Sequence, residues 1–206
     1  NTMEATQYLK NSCKMSSLPF WKTNIITVPD NMVILRDDAF RQNPVYGHDE
    51  PYFRMQHHLN HIPCCQLSPD FELIDCNIED YSTHINKCYE QEYVSIQELT
   101  EYKDHPVFDP SLWVCIAEKN TGHIVATGIA ELDTSIDEGI LEWIQVSPLY
   151  RRQGLGKYIV CELLKRMQER ARFVTVSGKM KNESNPYALY RACGFDHPVI
   201  WHVVIK

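Results

Sequence analysis

Glycine is nearly missing from the first half of this 206-residue chain, where Gly47 is the only one before Gly122. Prolines show the opposite bias, with eight of the eleven between Pro19 and Pro110. No apolar run approaches the roughly 20 residues that cross a bilayer, so no membrane partner is expected. Asn1 to Met15 lacks a basic start followed by an apolar stretch, so no signal peptide is expected there, although Asn1 is not an initiator. The eight cysteines (Cys13, Cys64, Cys65, Cys76, Cys88, Cys115, Cys161, Cys193) contain no C-x-x-C pair. Reduced thiols in a cytoplasmic protein are the expectation. There is also no basic excess. The net charge is −7, which argues against a nucleic-acid partner, since phosphates require a basic face.

What charge there is, is segregated. Phe71 to Glu142 holds 16 acidic residues against Lys87, Lys103 and Lys119, whereas Arg151 to Lys181 holds nine basic residues against Glu162 and Glu169. An anionic ligand at one end and a cationic one at the other would suit this division; two unevenly charged solvated faces would also produce it.

The composition shift places a boundary near Ser68-Pro69, dividing an N-terminal extension, residues 1–68, from a domain over residues 69–206. The extension reads as a helix over Met3–Met15, an extended stretch through Pro19 and Pro29, and short strands at Met32–Arg36 and Tyr52–Leu59. Beyond the boundary the periodicities predict a strand at Phe71–Asp75, a helix carrying Ile78, Tyr81, Ile85 and Cys88, and a second helix opened by a Ser95–Glu98 capping box. Strands at Leu112–Glu118, His123–Glu131 and Ile140–Val146 follow, then a helix from Leu155 to about Glu169. Phe173–Ser177, Asn185–Cys193 and Val199–Ile205 complete a strand, a short helix and a strand. The order β-α-α-β-β-β-α-β-α-β describes an α/β (α+β) protein with a mixed sheet, not a doubly wound one.

The sharpest local feature is Val146-Ser-Pro-Leu-Tyr-Arg151-Arg152-Gln153-Gly154-Leu155-Gly156-Lys157. A strand ends, two glycines clear the backbone of side chains, and a helix begins whose free N–H groups form an anion site. Arg151, Arg152 and Lys157 add positive charge, and a pyrophosphate suits this convergence of donors. Neither a Walker loop nor a Rossmann fingerprint fits, because Tyr158 follows Gly156-Lys157 and Ile159 stands where a third small residue belongs. Further on, Asn185-Pro-Tyr-Ala-Leu-Tyr190-Arg-Ala-Cys-Gly194-Phe195 reads as a capped short helix.

The two motifs in tandem resemble the GNAT superfamily of acyl-CoA-dependent N-acetyltransferases over about residues 71–205. The resemblance implies a mixed, mostly antiparallel central sheet flanked by helices. It implies acetyl-CoA as co-substrate, with no metal, and direct transfer of acetyl to a primary amine. Ile144, Gln145 and Val146 would leave their neighbour strand and bind the pantetheine arm, and Val146 N–H would serve an oxyanion. Arg151, Arg152, Gln153, Gly154, Leu155, Gly156 and Lys157 would hold the pyrophosphate. Tyr190 would be the general acid. Many members carry a cofactor-contacting Asn seven residues before that tyrosine; Glu183 stands there, flanked by Asn182 and by Asn185, a further cofactor-contact candidate. Acyl transfer to an ammonium also needs a base, and Glu142 is the candidate.

The acceptor is expected to be a small-molecule or peptide amine, cationic, in a cleft walled by Glu79, Asp80, Glu90, Glu92, Glu98, Glu101 and Glu142. The residues before Pro69 would cover that cleft or form a homodimer contact. A catalytically silent acyl-CoA-binding module and a peptide N-terminal acetyltransferase are the alternatives. His57, His58, His61, Cys64 and Cys65 lack zinc-ligand spacing, and Cys193 suits packing better than nucleophilic catalysis.

Overall fold

A computed structural model describes residues 2–206. Eight strands form one sheet: β1 (Met32–Arg36), β2 (His48–His57), β3 (Phe71–Ile74), β4 (Trp113–Glu118), β5 (Ile124–Asp133), β6 (Glu138–Val146), β7 (Phe173–Lys179) and β8 (Asp196–Ile205). Their order is β1-β8-β2-β7-β6-β5-β4-β3. All neighbours are antiparallel except β6 and β7. A parallel pair needs a crossover, and the helix α7 (Leu155–Met167) provides it. α7 buries Leu155, Ile159, Leu163 and Met167 against the sheet. It lies close because β5 has a glycine beneath it: a Cβ at Gly128 would collide with Ile159 Cγ2.

The opposite face carries α5 (Ile78–Cys88) and α6 (Ile96–Glu101), which pack over Cys115 and Ile129 through Tyr81, Ile85 and Leu99. Both helices open with capping boxes, Asn77 with Asp80 and Ser95 with Glu98. In each, one side-chain acceptor and one side-chain carboxylate satisfy amides that no helix turn can reach.

Residues 2–68 contribute two strands to the sheet. β1 pairs with β8, and β2 lies between β7 and β8. The irregular segment 58–70 then links β2 to β3. The strand expected at Tyr52–Leu59 starts earlier and stops at His57, because Leu59 turns to φ 61° and donates its N–H to His57 Nδ1 at 2.8 Å. The helix expected over Met3–Met15 is two single turns, α1 (Ala5–Tyr8) and α2 (Ser12–Met15). Asn11 divides them by leaving the helical conformation and accepting from Lys14 N–H at 3.1 Å. The stretch after Pro19, expected to be extended, forms one more turn, α3 (Phe20–Thr23), and α4 (Asp37–Gln42) follows β1. Cys76 and Cys115 form a disulfide, which departs from the expectation that every cysteine is a reduced thiol.

Candidate active site

β6 is the strand on which the site is built. It pairs with β7 only from Glu138–Phe173 to Leu141–Val176; beyond that the two strands continue to Val146 and Lys179 without pairing. On its other edge β6 carries a bulge. Leu141 opposes Ala130 and Trp143 opposes Ile129, so Glu142 is the extra residue. A bulge bends its strand and re-aims the side chain it inserts. Ser147 N–H donates to Val125 O at 2.8 Å on the β5 side. By strand alternation, Val146 N–H and Ile144 C=O therefore face the opening between β6 and β7. The end of α5 leans over this opening, where Tyr89 OH donates to Ile144 O at 3.3 Å.

At the end of β6 the chain turns through Arg152 (φ 64°) and Gly154 (φ 81°), the latter the N-cap of α7. A left-handed N-cap suits glycine, and a Cβ at Gly154 would meet nothing, so its constraint is the backbone angle alone. Amides 152–157 have no acceptor among the described residues. Arg152 and Gln153 are exposed, whereas Leu155 is buried and contributes only its amide to this face. Arg151 folds back, its Nε 3.4 Å from Val146 O and its Nη2 3.5 Å from Cys88 O. The start of the loop is pinned by His84, whose ring nitrogens lie 2.8 Å from Thr127 Oγ1 and 2.9 Å from Ser147 Oγ. Burial holds the His84 pKa down at about 4, so the ring is neutral at pH 7.

The short helix α8 (Pro186–Ala192) sets Tyr190. Asn185, at φ 49°, caps it by accepting from Ala188 N–H at 3.2 Å. Tyr190 packs between the rings of Phe53 and Phe195, with centroids 6.0 and 5.6 Å away. Burial raises its pKa, which keeps the phenol protonated. His57 ties down the far end of α8: its Nδ1 accepts from Leu59 N–H, so Nε2 carries the proton and donates to Cys193 O at 3.1 Å.

A cavity of about 280 Å³ lies on the β2, β6 and β7 side, lined among others by Lys22, Phe53, Arg54, Glu142, Ser177 and Trp201. Of the seven carboxylates expected to wall an acceptor cleft, only Glu142 reaches it. Asp80 and Glu98 close capping boxes, and Glu92 pairs with Lys179 at 3.0 Å. Sequence reasoning missed two partners of Glu142. Lys22 Nζ is 2.7 Å from Glu142 Oε1, and the Glu131 carboxyl stands beside the same carboxylate. Burial, then the charge of Glu142, pushes Glu131 up to about 8 against the pull of Lys22. Trp21 Nε1 donates to Glu131 Oε2 at 3.2 Å.

Among the described residues no group of three His, Cys, Asp or Glu side chains could hold a metal ion. None of their helices is long and apolar enough to cross a membrane.

A mixed sheet whose parallel pair separates beside a helix led by free amides is the GNAT fold. An Acetyltransferase (GNAT) domain matches residues 110–197, which assigns that part of the chain to the GNAT superfamily. Among solved structures it is similar to a GCN5-related N-acetyltransferase from Sphaerobacter thermophilus (17% identity, 84% of this chain and 58% of that one, TM-score 0.67). A tandem GNAT protein from the clavulanic acid biosynthesis pathway (13% identity, 85% and 64%, TM-score 0.58) is also similar. So is a GNAT-family acetyltransferase from Colwellia psychrerythraea (14% identity, 85% and 64%, TM-score 0.57). The chain thus spans little more than half the length of the Sphaerobacter protein. Comparison with curated proteins finds no match.

Proposed function

We propose that the protein transfers acetyl from acetyl-CoA to a primary amine by direct attack. The observation that carries this reading is the meeting of two features at the end of β6. Backbone groups of Ile144 and Val146 face an unpaired opening, and immediately beyond them amides 152–157 lack acceptors. Acetyl-CoA would supply the acyl group as a thioester. The amides of Arg152 to Lys157 would hold its pyrophosphate, assisted by the Arg152 and Lys157 side chains. Ile144 C=O and Val146 N–H would orient the pantetheine arm, with Val146 N–H aimed where negative charge develops on the acyl oxygen. Gln145 supports that strand from the β5 side, its Nε2 donating to Thr127 O at 3.3 Å.

Tyr190 Oη would give its proton to the departing thiolate, a role consistent with its raised pKa. Glu142 would take the proton from the acceptor's nitrogen, since the bulge re-aims its carboxylate toward the cavity. In this reading Asn185 acts through its cap on α8 and so fixes Tyr190. A screen of primary amines with acetyl-CoA, read as free thiol, tests the proposal. Thiol release that depends on amine and falls in a Tyr190→Phe variant supports it. Tight CoA binding with no amine-dependent release points instead to a binding module.

A further inference from the structure

The N-terminal segment places a cation where the proposed reaction needs one. Lys22 stands on α3, 2.7 Å from the carboxylate of Glu142, with its ammonium 5.2 Å from the centroid of the Trp21 ring. The Trp21 ring in turn lies tilted against His105, centroids 4.8 Å apart, and His105 against Tyr102 at 5.1 Å, so aromatic rings border the carboxylates on one side. Such an arrangement suits an alkylammonium: carboxylate charge meets the nitrogen, and π faces meet its polarised CH₂ groups. Glu131, pushed up to about 8, keeps its proton at neutral pH.

The segment that carries the occupant is half-buried. α3 buries none of its own residues, and the residues just after it include exposed Ile25 and Ile26. Its polar anchors are Phe20 N–H to Glu138 Oε2 at 3.0 Å, Trp21 to Glu131, and Lys22 itself, and its apolar anchor is the Phe20 ring, 5.4 Å from that of Tyr8. Segments with few buried apolar contacts open at small free-energy cost. Beside the seat lies the 280 Å³ cavity, which Lys22 and Glu142 both line. Phe53 lines it too, and its ring centroid lies 6.0 Å from that of Tyr190.

We propose that Glu131 and Glu142 form a seat for a primary ammonium on an unbranched carbon chain, and that Lys22 is its built-in occupant, which an acceptor amine displaces. The seat rests on the acyl-transfer reading only for the fate of the incoming amine. The side chain already seated defines the ligand class: four methylenes ending in an ammonium.

Binding without any acyl donor tests this. Titrate wild type, Lys22→Met and the double variant Lys22→Met/Glu142→Gln with n-pentylamine, Nα-acetyl-lysine amide and n-pentanol at pH 7. Met keeps an unbranched stem and removes the charge. An occupant seated nine-tenths of the time weakens a competitor about tenfold, so Lys22→Met should bind one or both amines about tenfold more tightly than wild type. The double variant should lose that gain, and pentanol should be indifferent. A larger gain for the lysine derivative points to a peptide lysine as the source; a larger gain for pentylamine points to a free amine. Unchanged or weaker amine binding, or equal tightening toward pentanol, overturns the proposal. Should Lys22→Met fail to fold, Lys22→Gln carries the same titration; unfolding of both would make Lys22 a structural counter-ion and overturn it. Because no thiol is measured, failure of the amine screen leaves this result standing, and the reverse also holds.

Discussion

Arg54 on β2 and Glu138 on β6 meet 3.4 Å apart with 2% and 0% of their side chains exposed, although β7 lies between their strands. Thr175 of β7 donates to the same Glu138 oxygen at 2.7 Å, as does Tyr8 OH at 2.7 Å. This cluster joins the N-terminal turns to the strand that carries the site. Removing one charge leaves the other buried without compensation, which costs about 3–5 kcal/mol. Glu138→Gln should therefore lower the melting temperature by many degrees. A melting curve within two degrees of wild type would show that the pair contributes little.

The two loop glycines should behave differently. A Cβ at Gly156 would meet Leu189 and Val146 at 3.4 and 3.6 Å, ordinary contact distances. Gly156→Ala should leave both stability and CoA affinity nearly unchanged, whereas Gly156→Leu should push α8 from the loop. Gly154 sits at φ 81°, which costs a branched residue about 1–2 kcal/mol and re-aims the neighbouring amides. Gly154→Val should weaken CoA binding at least tenfold by calorimetry. Equal affinities for Gly154→Val and wild type would remove the loop from the binding site.

Tyr190→Phe separates packing from chemistry. The ring stays between Phe53 and Phe195, and no described residue hydrogen-bonds the lost hydroxyl. Stability should change little, while kcat for an accepted amine falls by about 10²-fold or more with CoA affinity preserved. Full turnover in a folded variant would refute the general-acid role.

Acid should weaken the fold through His84. Its folded pKa of about 4 lies below the 6.5 of the free imidazole, so between these values the unfolded chain binds the proton and the folded one does not. Stability from this group is present above pH 6.5 and is lost as pH falls toward 4, by about 3 kcal/mol in all. Urea titrations of wild type and His84→Gln at pH 7 and 4.5 would measure it. The variant should start less stable and lose less on acidification; parallel losses would assign the acid sensitivity elsewhere.

Local signals made much of this molecule legible. β1 spans Met32–Arg36 as its apolar run predicts, and the Ser95–Glu98 box forms as spaced, because such features depend on residues a few positions apart. The glycine turn into α7 and the Asn-Pro start of α8 are legible for the same reason. Lys22 and Glu142 are 120 residues apart, and Arg54 and Glu138 are 84 apart. Such pairs leave no periodic trace. Glu131 in Ile-Ala-Glu-Leu-Asp is indistinguishable by pattern from a carboxylate on a solvated strand face; only a neighbouring strand reveals its burial.

The seating of β2 between β7 and β8 also governs the order in which the chain can be assembled. During synthesis, residues 48–57 emerge long before residues 173–205 exist to flank them. At about 5–20 residues per second that delay is on the order of ten seconds. Throughout it, β1 and β2 have none of their final neighbours, and closing so long a loop slows their capture further. A strand waiting in this state is the segment of the molecule most exposed to pairing with a second nascent chain, and hence the one a chaperone would need to shield.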